Sequence, residues 1–61
     1  MFKFKLGLQV RDTKTGFVGV IEARTEYRDD RLENDYMVQA IDGSGEFTLV
    51  KEDRLVLCYG D

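Results

Sequence analysis

The stretch Phe2-Lys3-Phe4-Lys5-Leu6-Gly7-Leu8-Gln9-Val10 decides the fold class. Phe2, Phe4, Leu6, Leu8 and Val10 are apolar; Lys3, Lys5 and Gln9 between them are polar, with Gly7 neutral. Apolar residues at every second position put one set of side chains on one side of an extended chain. A helix would scatter the same side chains around its axis. The alternation therefore predicts a strand with one buried face, ended by turn chemistry at Asp12-Thr13-Lys14-Thr15-Gly16.

The rest of the chain reads outward from that strand. Phe17 to Arg28 predicts a second strand, with Phe17, Ile21, Ala23 and Tyr27 on one parity and Val18, Val20, Glu22, Arg24 and Glu26 on the other. Gly19, lacking a Cβ, marks a bulge or a close approach of backbone. Asp29 to Asp35 is a polar connection, and Tyr36 to Ile41 predicts a central strand. Asp42-Gly43-Ser44-Gly45-Glu46 is a strong turn signal before a fourth strand, Phe47 to Val50. Lys51 to Arg54 is a charged step with the length of one 3₁₀ turn, and Leu55 to Tyr59 is the fifth strand. Five short strands, a bent second strand and a 3₁₀ step before the last describe an all-β, five-stranded, SH3-like small barrel spanning residues 1–61 as a single domain. In such a barrel the first and last strands meet and so cover the sheet edges. An OB-like barrel is the alternative; it usually needs more residues and a helix.

Composition narrows the chemistry. Sixty-one residues expose about 4,100 Å² when folded against about 10,000 Å² unfolded, which leaves only a small core. There is one Cys and no His. That removes a disulfide framework within the chain, His-based acid–base catalysis and most structural zinc sites. No apolar run reaches the ~20 residues of a membrane span, and the N-terminal alternation does not read as a signal peptide. The expectation is a cytoplasmic, non-enzymatic domain without a cofactor. Charge is uneven: residues 1–28 hold six basic and three acidic groups, residues 29–61 three basic and nine acidic, for a net −3. Interleaved strands would mix the two halves on one surface.

Leu6-Gly7, Val10, Asp12, Thr15-Gly16-Phe17, Gly19, Arg24, Glu26-Tyr27, Tyr36 and Val38-Gln39 together resemble a group of small phage- and prophage-encoded proteins. The most specific pieces are Thr-Gly-Phe-x-Gly and Arg-x-Glu-Tyr. The resemblance implies an SH3-like fold and a phage or mobile-element origin. It transfers no catalytic residue.

The turn Asp42 to Glu46 begins like a calcium loop, but its sixth position is Phe47 instead of Gly, and a hairpin turn is the better reading. Asp29, Asp30, Glu33 and Asp35 read as a solvated loop and not as a metal site. Cys58 lacks an activating partner and reads as a packed strand residue. Phe2 and Phe4 extend the apolar face beyond what a closed barrel needs, so a second copy of the chain is expected to cover them. With Arg24, Tyr27 and Tyr36 they form the candidate partner-binding set, for a homo-oligomer and a host or phage protein. Lys3, Lys5, Arg11 and Lys14 are the basic groups a nucleic acid could contact, but the net charge opposes it, and no binding to duplex DNA is expected. Two other functions stay open: a nucleic-acid or nucleotide-binding module, and an enzyme whose site is built across a symmetric oligomer.

Overall fold

The computed structural model of the chain describes residues 2–28 and 31–58. Its strands are β1 (Gln9–Asp12), β2 (Val18–Thr25), β3 (Asp35–Ala40), β4 (Phe47–Lys51) and β5 (Leu55–Leu57), with a 3₁₀ turn at Glu52–Arg54. They form one antiparallel sheet in the order β4-β3-β2-β1-β5. The expected all-β class, the five strands and the 3₁₀ step are all present. Among the described residues no helical segment exceeds that single turn.

Two expectations need correction. The first and last strands do pair, Val10 with Leu57 and Asp12 with Leu55, but the sheet is not closed into a barrel; β4 and β5 remain as edges. The expected first strand is also misplaced. Residues 2–8 form an irregular arm, and the ladder begins only at Gln9. Gly7 breaks the run with φ +85°, a conformation glycine adopts without steric cost. The alternation has a different use: Phe4 is buried, and Phe2 and Leu8 pack against the core formed by Val10, Ile21, Tyr36, Val38, Val50 and Leu55.

Gly19 shows the close approach its sequence position suggested. A Cβ there would run into the Gln39 carbonyl and the Val38 side chain of β3. The bend lies further along, where the β2–β3 register slips between Ile21 and Ala23. One extra residue inverts the side-chain alternation beyond it. Ile21 points into the core opposite Val38, and Arg24 lies opposite Tyr36, on the same inner side. Ala23, opposite Met37, belongs to the outer face. Tyr59, the expected end of the fifth strand, lies outside the described residues, as do Asp29 and Asp30 of the expected acidic loop.

Candidate functional site

The inner side is organised by one phenol. Tyr36 on β3 is fully buried. Its ring meets Phe4 edge-on at 5.5 Å between centroids and Phe2 at 5.9 Å. Its hydroxyl accepts hydrogen bonds from the backbone amides of Lys3 (3.1 Å) and Phe4 (3.2 Å) and donates to the Glu52 carboxylate. Glu52 also accepts from the Lys3 amide at 2.9 Å and from the Asn34 side-chain amide at 3.2 Å. Arg24 completes the latch. Its guanidinium lies 4.3 Å from the Phe2 ring centroid and donates to the Phe4 carbonyl at 3.1 Å. Burial pushes the Tyr36 phenol above its ordinary value, helped by the Glu52 carboxylate. Burial works against the Glu52 carboxylate, but the Tyr36 hydroxyl, the Lys3 amide and Asn34 outweigh it and hold its pKa low.

A second polar pair, with one member buried, lies at the β1–β2 turn. Asp12 is buried. Its carboxylate accepts from the Lys14 amide at 2.9 Å and from Arg54 at 2.5 and 3.2 Å. Burial would raise its pKa, but the Lys14 amide and the Arg54 guanidinium prevail and lower it.

These contacts reassign most of the candidate partner-binding set. Phe4 and Tyr36 are core residues, and Phe2, half-buried, and Arg24, exposed, hold the arm down. The excess apolar length that suggested a second copy covering Phe2 and Phe4 is instead the lid of the protein's own core. Tyr27 is exposed, at the rim. Its hydroxyl donates to Asp35, and the Lys51 ammonium lies 5.1 Å from its ring centroid and 2.8 Å from the Asp35 carboxylate. The basic candidates do not line one strand: Lys3 and Lys5 are in the arm, Arg11 lies on β1 between Val18 and Val56, and Lys14 is in the turn.

A polar cleft of about 320 Å³ lies beside the latch, lined by Lys3, Leu32, Glu33, Asn34, Glu52 and Asp53. Glu33 shares a hydrogen bond with Asp53 across it, which raises the Glu33 pKa. The oxygens of the calcium-like turn serve their own loop: Asp42 accepts from the Ser44 amide and Ser44 from the Glu46 amide. Cys58 is half-buried and accepts a weak bond from the Gln9 side chain at 3.6 Å.

The surface that sequence reading missed is the outer face of the sheet. Phe47 and Leu49 on β4 are 64% and 69% exposed. Cross-strand pairing continues their rows inward, Leu49 to Met37 and Ala23, Phe47 to Gln39 and Val20. An exposed apolar patch of this kind is a candidate interaction surface. The only signal in the sequence was the position of both residues on one parity of the fourth strand. Their partners across the ladder had to be known before the patch became visible. Compared with protein-family models, curated proteins and solved structures, the chain matches none.

Proposed function

We propose that the chain is a non-enzymatic, self-associating interaction module of phage or mobile-element origin that binds a protein in the host cytoplasm through the outer face of its sheet. The observation that carries this reading is the exposed pair Phe47 and Leu49 on an edge strand, with Leu49 continued across the sheet by Met37 and Ala23. Its frame is an opened variant of the SH3-like arrangement. The strand order β4-β3-β2-β1-β5 and the 3₁₀ turn before the last strand support that assignment. The residues with perturbed protonation support no catalytic role in this reading. Tyr36, Glu52 and Asp12 are committed to holding the arm and the turn.

A photo-crosslinking residue at Gln39, exposed between Phe47 and Val20, tests the reading in host cells. We expect adducts with a second, heavier protein that Phe47→Ser removes. Adducts with nucleic acid alone, or protein adducts indifferent to Phe47, overturn it.

A further inference from the structure

The two edges of the sheet are unequal. At β5 the free edge is three residues long, and the Leu55 amide is already bonded to the Glu52 carbonyl. At β4 the edge runs five residues. The Glu46 carbonyl accepts from the Ala40 amide, so it points at β3. In an antiparallel ladder this orientation alternates. Thr48 and Val50 therefore also turn their backbone groups to β3, opposite Val38 and Tyr36, while Phe47, Leu49 and Lys51 turn theirs outward. The Lys51 carbonyl is used inside the chain, as the N-cap acceptor that opens the 3₁₀ turn; among the described residues, the outward groups of Phe47 and Leu49 and the Lys51 amide have no such partner.

Chains usually protect such an edge with a bulge, a proline, a central charge or a covering segment. Among the described residues β4 has none of these: its ladder to β3 is regular, its only charge is the terminal Lys51, and the other two side chains on that face, Phe47 and Leu49, are large and apolar.

We propose that β4 pairs antiparallel with β4 of a second copy about a two-fold axis through Leu49, joining two sheets into one. This rests on reading the outer face as an interaction surface, and it names the partner and the register. Only pairings that set outward-pointing residues opposite each other form a ladder. Of these, the Leu49-centred register alone sets all three residues opposite extended partners: Leu49 meets Leu49, and Phe47 meets Lys51 on both sides, where the Lys51 amide is the open donor. A register centred on Thr48 leaves Lys51 opposite Gly45, whose φ of +78° is not extended. The chosen register also places each Lys51 ammonium beside a Phe47 ring, the pairing it already makes with Tyr27. It brings the Phe47–Leu49 rows of both copies into one continuous apolar stripe. The same patch on both copies makes the contact isologous, so it closes at two and does not grow into a fibre.

Three outward residues per copy bury less than the ~1,200 Å² of a standard interface, so the dimer is a weak one. Sedimentation equilibrium is the test, at concentrations up to about 2 mM, where an interface with a Kd near 1 mM is populated. The wild-type mass rises from 7.1 kDa towards twice that value. Leu49→Lys and Leu49→Glu each stay monomeric, because like charges meet on the axis, and an equimolar mixture of the two forms a heterodimer. A wild-type chain that stays monomeric throughout overturns the inference. So do single variants that dimerise as well as wild type, and a mixture that stays monomeric. In case a variant misfolds, nuclear Overhauser contacts between Leu49 methyls of labelled and unlabelled wild-type copies give an independent reading, and their absence at millimolar concentration also counts against the dimer. A wild-type monomer that still cross-links a heavier protein through Gln39 removes the dimer and leaves the binding module standing. A dimer without such adducts does the reverse.

Discussion

The two faces of this sheet carry similar apolar side chains and treat them in opposite ways. On the inner face, Phe2 and Phe4 come from an arm with no regular structure, yet they are pinned by Tyr36, Glu52 and Arg24. On the outer face, Phe47 and Leu49 come from a regular strand and are left bare. The difference teaches that regular structure does not decide burial in so small a chain. Polar groups do. The arm docks because its amides find a phenol and a carboxylate beneath it, and burying those amides unpaired would cost about 1–3 kcal/mol each. The outer face has no covering segment with such anchors among the described residues.

If the inner side is a structural latch, the largest effects come from its buried polar groups. Asp12→Ala removes a buried carboxylate from Arg54 and from the Lys14 amide. Arg54 is partly exposed and can rehydrate, so we expect the low end of the penalty for breaking a buried pair, about 3 kcal/mol. That is most of the stability of a domain this size, and urea denaturation checks it. Tyr36→Phe leaves the Phe4 amide without its acceptor and Glu52 without the phenol. We expect a loss of about 2 kcal/mol, together with faster exchange of the Phe4 amide.

Acid should loosen the same side. Asp12 and Glu52 have lowered folded pKa values. Their stabilisation is therefore complete above the ordinary carboxylate range near pH 4 and is lost as pH falls through the lowered values. A Glu52→Gln variant should show a shallower loss between pH 5 and pH 2 in thermal melts; an unchanged slope would mean that Glu52 carries none of it. The outer face should respond least. Leu49→Ser is expected to change stability by no more than about 0.5 kcal/mol while lowering self-association. A loss comparable to that of Tyr36→Phe would erase the distinction between the faces. Duplex DNA should bind neither face in gel shifts at about 150 mM salt, where exposed charges are screened beyond ~8 Å. Salt-sensitive binding removed by Lys3→Glu with Lys5→Glu would favour a nucleic-acid function.

The succession of strands was largely legible in the sequence, because β2 to β5 are bounded by Gly and Asp turns or by a charged step, and their alternation is local. The arm was not. Phe2 to Val10 alternates like a strand, and nothing local shows that Gly7 turns the chain or that a tyrosine thirty-odd residues away takes its amides. The role of Arg24 was hidden for a different reason: the slip between Ile21 and Ala23 inverts the parity on which its face was assigned. Tyr36 stands in the partner-binding set because it flanks the polar loop, yet it is fully buried, and its burial depends on the arm folding over it. The outer patch depends on which strands become neighbours, a long-range property that periodicity does not contain.

The comparison of the two faces is tested most directly by amide hydrogen exchange, read at Phe4 and Leu49 in the same sample as protein concentration is raised. The Phe4 amide donates to the Tyr36 hydroxyl within one copy, so its protection should be present in dilute solution and should not depend on concentration. The Leu49 amide points to the open edge. It should exchange rapidly when dilute and become protected at millimolar concentration as a second β4 pairs with it. A Leu49 amide that is already slow in dilute solution, or one that stays fast at every concentration, would contradict the account.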